Sequence, residues 1–205
     1  MAVTPEQLYE QTLVIRSQIG DEAAFTELLT CYGPRLLHFT QRMMESSPDR
    51  VADLTQEIWV AVFRGLPGLL DASKFRPWAF RIARDRIYRE YRRSKLSVQP
   101  IEETLLEELP EGEEVVTAAD MEQLRHCLDS ISSEHREALV LRFFEDLTYE
   151  EIARVTGVTV GTVRSRIHYG KGALRTAWKE KHYERKSIHS AATGIGLFQP
   201  QRKHR

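Results

Sequence analysis

The sequence predicts an all-α protein made of two small helical domains that are joined by a flexible acidic linker. Apolar residues recur at intervals of three and four through most of residues 21–95 and again from residue 119, which is the period of an amphipathic helix. The segment between them, residues 96–120, contains two prolines, one glycine and seven glutamates. Such a composition is typical of a linker rather than of a packed helix.

Three helices are predicted in the first domain, each from an apolar stripe and its boundary residues. The first opens at Asp21, and the second opens at Ser47, which is followed by proline at the first helical position. The Gly-Leu-Pro-Gly sequence of residues 65–68 ends the second helix. After a loop of about ten residues, a third helix is predicted over about residues 76–94. The core-facing stripe of the second helix is Val51, Leu54, Ile58 and Val62.

The second domain has the pattern of a helix-turn-helix. A serine pair at residues 132–133 caps one of its helices. Thr148 and Glu151 have the spacing of a capping box, in which a threonine hydroxyl and a glutamate carboxylate each accept a hydrogen bond from the other's backbone amide. A glycine turn at residues 157–159 then leads into a long helix, predicted over about residues 160–179.

The charges are sorted along the chain, although the formal net charge is only −1. Residues 74–95 carry nine basic and two acidic side chains, and residues 161–205 carry eleven and two. Residues 96–124, between them, carry nine acidic side chains and no lysine or arginine. Two basic blocks separated by an acidic segment predict two separate contact points for a polyanion such as nucleic acid.

The long helix after the glycine turn is predicted to present a basic face to the major groove of DNA. At about 100 degrees per residue, Val163 and Ile167 share the core-facing side, and Arg164 lies opposite them. An arginine in that position can donate two hydrogen bonds to guanine. The candidate DNA-binding residues are Thr159, Gly161, Thr162, Arg164, Ser165, Arg166, His168 and Lys171. A helical hairpin with a solvated basic face is the alternative.

The third predicted helix of the first domain interleaves arginines with aromatic residues. Because cations attract phosphates and aromatic rings stack on unpaired bases, this segment fits single-stranded or melting DNA better than duplex alone. Phe75 and Trp78 are the better stacking candidates, whereas Phe80 and Ile82 are expected in the core. The alternative is that Trp78 also belongs to the core. The full candidate set is Lys74, Phe75, Arg76, Trp78, Arg81, Arg84, Asp85 and Tyr88.

A polar stripe runs along the second predicted helix, opposite its apolar face. It consists of Asp53, Gln56 and Glu57, and its acidic character disfavours contact with DNA. Periodicity alone favours a solvated face, and docking onto a basic protein partner is the alternative.

Several other classes of function lack their sequence signals. Cys31 and Cys127 lie far apart, which excludes a disulfide scaffold and a zinc site of ordinary spacing. The longest apolar run, residues 58–63, is too short to cross a bilayer, and the N-terminus has no features of a secretory signal. We therefore expect a cytoplasmic protein. Because the motifs of nucleic-acid enzymes are missing too, we expect no catalytic residue, metal or cofactor.

Three motifs together resemble the sigma-70 family of bacterial RNA polymerase initiation factors, in its extracytoplasmic-function (ECF) group. Residues 53–59, DLTQEIW, look like the region 2.2 motif, and residues 75–85, FRPWAFRIARD, look like regions 2.3 and 2.4. Residues 147–153 and 161–166 look like region 4.2. The order and spacing of these motifs around an acidic linker are typical of the group.

The resemblance implies a role for each surface. The loop near residues 71–76 and the helix after it would recognise and melt the minus-ten promoter element, and the helix from Val160 would read the minus-thirty-five element. The implied partners are promoter DNA and core RNA polymerase, through its beta flap and beta-prime clamp helices, with no membrane. Whether an anti-sigma factor holds the chain inactive is left open. The residues that would bind the clamp helices are Asp53, Leu54, Gln56 and Glu57.

The implied domain boundaries follow the changes in composition. Residues 1–95 are expected to form the region 2 domain, 96–120 the acidic linker, 121–178 the region 4 helix-turn-helix domain and 179–205 a disordered basic tail. A stand-alone helix-turn-helix regulator is the main alternative, and it leaves the polar stripe and the aromatic-basic helix without roles. A nucleic-acid enzyme is a further alternative, and the missing catalytic motifs count against it.

Overall fold

The computed structural model describes residues 4–44, 46–94 and 118–193, and over these residues it contains eight α-helices and no strand. This confirms the predicted all-α class. Most of the predicted acidic linker, residues 96–117, lies outside the described residues. The helices are α1 (Pro5–Gln18), α2 (Glu22–Met43), α3 (Pro48–Gly65), α4 (Phe75–Ser94), α5 (Ala118–Ser130), α6 (Ser133–Leu139), α7 (Tyr149–Thr156) and α8 (Val160–Thr193).

The residues predicted to start and stop helices do so. Ser47 caps α3 by accepting a hydrogen bond from a backbone amide, and Ser132 caps α6 in the same way. Thr148 and Glu151 form both hydrogen bonds of the capping box, at 3.2 and 2.8 Å. Gly157 ends α7 in the left-handed conformation with φ of +73°, which a glycine adopts without strain.

Helix α1 is absent from the predicted elements, although its start signals are present in the sequence. Thr4 and Gln7 form a capping box, and Pro5 occupies the first helical position. The buried residues of α1 are Leu13 and Val14. Because so little of the helix faces the core, its sequence shows only a weak apolar pattern. The first domain therefore contains four helices rather than three.

Helix α8 is longer than predicted. A helix end near Lys179 followed by a disordered tail was expected, and this is wrong up to Thr193, where α8 ends. Residues 173–193 contain neither glycine nor proline, so no residue in that stretch interrupts the helical hydrogen bonds. The remainder of the predicted tail, residues 194–205, lies outside the described residues.

Two packed units result, here called the first module (α1–α4) and the second module (α5–α8). Aromatic rings fill the core of the first module: Tyr32 meets Phe75 edge-on at 5.1 Å between ring centroids, and Phe39 meets Phe80 at 5.3 Å. The two modules also pack against each other, chiefly through α4 and α7, so that their buried apolar residues form one continuous cluster.

Candidate nucleic-acid and protein-binding surfaces

Helix α3 carries the predicted polar stripe on its outer side. The buried residues Val51, Ile58 and Val62 fix the rotation of the helix, so that Asp53 and Gln56 are exposed and the Glu57 side chain is 43% exposed. These three polar residues, Asp53, Gln56 and Glu57, are called the acidic ridge below. The prediction that they face outward is confirmed.

Leu54 does not belong to the acidic ridge. It is 1% exposed and lies in the core one turn before Ile58. The prediction that it contacts a protein partner directly is therefore wrong for this conformation. Its physical role is to anchor the helix that presents the ridge, because an apolar side chain of this size is stabilised by burial.

Weak ion pairs surround the acidic ridge. Glu57 lies 3.6 Å from the guanidinium of Arg50 and 3.7 Å from that of Arg86. Arg50 makes a closer pair with Glu90, at 2.7 Å, and this pair lowers the pKa of the Glu90 carboxyl. Because the Glu57 pairs are long and solvated, they stabilise little, and Glu57 keeps the capacity to accept a partner's cation.

Two apolar residues that were not among the candidate site residues extend the ridge. Val60 is 48% exposed and Phe63 is 59% exposed on the same helix. Phe63 packs edge-on against Phe25 at 5.0 Å between centroids, which holds the exposed ring in place. Exposed apolar side chains beside polar ones are the usual composition of a protein interface. Val60 follows Glu57 by three residues, so the sequence places it on the same side of the helix as the ridge. Nothing in the sequence distinguishes Phe63 from a core residue.

The predicted residues of the aromatic-basic segment differ in exposure. Lys74, Arg81 and Asp85 are exposed, and Arg76, Trp78, Arg84 and Tyr88 are half-buried. Arg81, Arg84, Asp85 and Tyr88 follow one another along one side of α4, and these four residues are called the α4 strip.

Phe75 is not available for stacking on a base. It is fully buried, with its ring against Tyr32, so its prediction as a DNA contact is wrong. The loop before α4 turns the first helical side chain inward, which the sequence pattern did not reveal. Trp78 is half-buried against Gly65, where a Cβ would come within 3.0 Å of the indole ring. Trp78 therefore packs against the core in part, and because it is not fully buried it remains the stacking candidate.

Part of the α4 strip is covered by the second module. Arg84 donates a hydrogen bond from Nε to Oε1 of Glu137 at 2.8 Å, and its guanidinium lies 4.5 Å from the centre of the Tyr88 ring. Burial, and then the nearby Glu137, raise the pKa of Tyr88 to about 12. The strip is therefore only partly accessible in this conformation.

Helix α8 exposes the face predicted to enter the major groove. Val163 and Ile167 are buried, as expected, and Arg164 lies on the opposite side. No ion pair engages Arg164 in the part of the chain that the structure describes, so its guanidinium is available to a ligand. The exposed residues of this surface, called the recognition face, are Gly161, Thr162, Arg164, Ser165 and His168.

The flanks of the recognition face are ordered by local contacts. The Thr159 hydroxyl accepts a hydrogen bond from the backbone amide of Thr162 at 3.1 Å and so caps α8. Arg166 is half-buried, and the exposed Lys171 places its ammonium 5.3 Å from the centre of the Phe143 ring. These positions suit contacts to phosphates on either side of a groove.

Over the residues that the structure describes, none of the helices combines the length and the apolar character that a membrane span requires. Nor do histidine, cysteine and acidic residues there gather into a group that could hold a metal ion.

Comparison with known families matches both modules. Residues 28–96 match the model of Sigma-70 region 2, and residues 121–174 match the model of Sigma-70, region 4. The two matches lie in the same order as the resemblance noted in the sequence.

Individual relatives agree with this match. The chain is 32% identical over 181 residues to the ECF RNA polymerase sigma-E factor of Escherichia coli (strain K12), covering 82% of this chain and 94% of that protein. It is 35% identical over 171 residues to the ECF RNA polymerase sigma factor SigE of Mycolicibacterium smegmatis, covering 76% of this chain and 63% of that protein.

Two solved structures have a similar fold. CnrH in complex with the cytosolic domain of CnrY superposes with a TM-score of 0.65 at 23% identity, covering 84% of this chain and 98% of that one. RpoE in complex with the anti-sigma factor NepR, from Bartonella quintana, superposes with a TM-score of 0.62 at 24% identity, covering 76% and 96%.

Proposed function

We propose how this chain acts from the premise that it belongs to the ECF group of the sigma-70 family of RNA polymerase initiation factors. It is an initiation factor that binds core RNA polymerase and directs it to promoter DNA. Sigma factors are generally non-enzymatic. The finer proposal is that this chain has no catalytic residue, uses no cofactor, and works in the cytoplasm, where the polymerase is found.

The observation that carries the proposal is the separation of an anionic surface from two cationic ones. The acidic ridge lies on α3 of the first module, while the recognition face lies on α8 of the second. A ridge of this charge repels DNA and attracts a basic protein surface. We assign it to the clamp helices of the polymerase beta-prime subunit, with the second module reaching the beta flap.

The first module is proposed to act at the minus-ten element. Trp78 offers an aromatic ring for a base of the melted strand, while Lys74 and Arg81 offer exposed cations for its phosphates. The half-buried members of the set, Arg76, Arg84 and Tyr88, join this surface once it is uncovered, and the exposed Asp85 lies beside it. Phe75 is left out because it is buried.

The second module is proposed to read the minus-thirty-five element through its recognition face. Arg164 is the main candidate for a base contact, because an exposed arginine near the start of a recognition helix can bond guanine twice. Of the proposed domain boundaries, 1–95, 96–120, 121–178 and 179–205, the end of the first domain and the start of the region 4 domain are supported by the family matches over residues 28–96 and 121–174. The boundary at residue 178 falls within α8, which continues to Thr193.

An anti-sigma factor is a further proposed partner. The support is that RpoE from Bartonella quintana, a sigma factor of similar fold, occurs in a complex with the anti-sigma factor NepR. No residue is assigned to this contact.

The experiment is run-off transcription with purified core polymerase on a library of genomic fragments. The parent chain should direct initiation at a defined set of promoters. The double variant Asp53→Arg, Glu57→Arg should lose association with core polymerase, because it reverses the charge of the acidic ridge. A matched control is Glu22→Arg, which reverses an exposed acidic residue on α2 and should leave association unchanged.

Two results would count against the proposal. One is an unchanged affinity of the ridge variant for core polymerase, measured by size-exclusion chromatography or fluorescence. The other is tight, specific duplex binding by the free chain with no effect of polymerase, which is the behaviour of a stand-alone helix-turn-helix regulator.

A further inference from the structure

An open cavity lies where the two modules meet. It has a volume of about 310 Å³ and is called the junction cavity below. Its lining comes from α2 and the start of α3 in the first module, and from α5 and the turn after α6 in the second. Ligand sites in proteins begin at about this size. The acidic ridge, the α4 strip and the recognition face contribute no residue to it, so polymerase and promoter binding leave it without a role.

Arg42 lines the junction cavity and lacks an anionic partner. It is half-buried, and its guanidinium lies 4.1 Å from the centre of the Phe144 ring. Among the described residues, no carboxylate oxygen lies within 4.0 Å of its nitrogen atoms. Burial lowers the pKa of the Arg42 guanidinium, and Glu145, which is paired with Arg35, opposes this shift. A bound anion would replace the solvation that the cation has lost.

The charged lining of the junction cavity is basic. Besides Arg42 it includes His38 and Arg125, and both of these are exposed. Asp129 is the single acidic residue among the described lining residues, and it pairs with Arg136 at 3.1 Å. Because that carboxylate is compensated, the cavity favours an anion over a cation.

The remaining lining is mainly apolar. Met44, Val51 and Leu128 are buried, and Leu124 and Phe144 are half-buried. Replacing water beside such side chains with an apolar group is favourable. The lining therefore suits a molecule that carries an apolar body next to its anionic group.

We propose that the junction cavity binds a small organic anion. Its carboxylate, sulfonate or phosphate group lies beside Arg42 and Arg125, and its apolar body lies against Met44, Leu128 and Phe144. A volume equal to about ten water molecules admits a body of about two aromatic rings.

Such a ligand couples the two modules. Because both modules line the junction cavity, the ligand binds the packed arrangement more tightly than separated modules and stabilises it by mass action. In this arrangement Arg84 of the α4 strip is bonded to Glu137. The ligand therefore reduces DNA binding by the strip. This consequence rests on the proposed function, whereas the binding of the anion does not.

Fluorescence titration of the full-length chain tests the proposal with dansylate, a dimethylaminonaphthalene sulfonate. The matched probe is dansylamide, which has the same naphthalene body but a neutral sulfonamide in place of the sulfonate. We expect dansylate to bind at one site and about tenfold more tightly than dansylamide, because a charge-assisted hydrogen bond to arginine needs the anion.

The diagnostic variant is Arg42→Gln. It should weaken dansylate binding about tenfold and leave dansylamide binding unchanged, because it removes the cation and keeps the apolar lining. The matched control is Arg16→Gln, which changes the net charge of the chain equally. Arg16 pairs with Asp21 and does not line the cavity, so both probes should bind this control as they bind the parent.

A second variant keeps the test valid if Arg42→Gln folds poorly, which thermal unfolding followed by circular dichroism reports. Arg125 is exposed on α5, so Arg125→Gln should change stability little. We expect it to weaken dansylate binding about threefold, since an exposed cation is screened by solvent, and to leave dansylamide binding unchanged.

The coupling of the modules is measured as binding of Cy5-labelled oligo(dT) with and without saturating dansylate. The parent should bind oligo(dT) about threefold more weakly in the presence of dansylate. Arg42→Gln, at the same probe concentration, should show a smaller change.

The possible outcomes decide separate points. Absence of saturable dansylate binding, equal affinity for the two probes, or an unchanged affinity ratio in both arginine variants would overturn the anion site. Dansylate binding that occurs only after residues 96–117 are replaced by glycine and serine would assign the cavity to this acidic segment and overturn it too. Unchanged oligo(dT) binding would overturn the coupling. Absence of run-off transcription by the parent would count against the proposed function without bearing on the titration.

Discussion

The recognition face of α8 and the strip along α4 are both basic helical surfaces, but the first is open and the second is partly covered, with Arg84 and Tyr88 half-buried. Arg164 projects into solvent, whereas Arg84 is bonded to Glu137 of the other module. The difference shows that the helical period of a sequence predicts which side of a helix faces away from the core of its own module. It does not predict which of the outward-facing residues a second module will cover.

The neighbours of each helix explain the difference. Helix α8 packs closely on α6, where a Cβ on Gly170 would come within 3.2 Å of His135 and 3.3 Å of Leu139. That contact fixes α8 within its own module and leaves the opposite side free. Helix α4 buries Phe80 and Ile87 in the first module and then packs a further side on α7, so it has two covered sides.

The largest effect is expected from a change in the open surface. Arg164→Ala should weaken binding of a promoter duplex by the free chain by about 1–3 kcal/mol, because a bidentate contact with guanine is lost. Fluorescence anisotropy with a promoter identified by transcription measures this, and a footprint reports the relaxed sequence preference.

The covered strip supplies the matched variant for this measurement. Arg84→Ala removes the same charge from the chain but leaves the recognition face intact, so affinity for a duplex that carries only the minus-thirty-five element should stay within about twofold of the parent. Equal losses in the two variants would mean that general charge, rather than a base contact, explains the effect of Arg164. The comparison between open and covered surfaces would then fail.

A second, smaller prediction tests how the open surface is positioned. Gly157→Ala should destabilise the second module by about 1 kcal/mol, because alanine is strained at the positive φ of this turn. Gly161→Ala, four residues later, should stabilise it by up to about 1 kcal/mol, because the position is helical and the nearest atom to a new Cβ is 3.7 Å away. Urea unfolding measures both, and changes of the same sign would contradict this account of the turn.

Local rules of the chain predicted most of the fold and only part of the site. Caps and stripes located α3, α6 and α7, because the residues that stop or start a helix act on their immediate neighbours. Phe75 and Leu54 were assigned to surfaces although both are buried, because a motif does not show which of its members support the helix from within. Glu137 was not singled out at all, since its partner Arg84 lies 53 residues away.

The smallest expected effect concerns the pH dependence of the covered strip. Burial raises the pKa of Glu137 above the ordinary value of 4.5, while Arg84 and Arg166 oppose the shift and Glu134 adds to it. A carboxyl group whose pKa is higher in the folded chain than in the unfolded one binds its proton more tightly in the folded chain. Protonation of Glu137 therefore stabilises the fold, and this contribution grows as the pH falls from the raised pKa toward 4.5.

The measurement compares the free energy of unfolding in urea of the parent and of Glu137→Gln, which imitates the protonated carboxyl at every pH. As the pH falls from about 7 to about 5, the parent should gain stability relative to the variant by about 1 kcal/mol or less, because protonation removes a buried charge. A difference that stays constant with pH would show that burial of the Glu137 carboxylate does not shift its pKa. The contact that covers Arg84 of the α4 strip would then carry no pH dependence, and the contrast with the open face of α8 would need another cause.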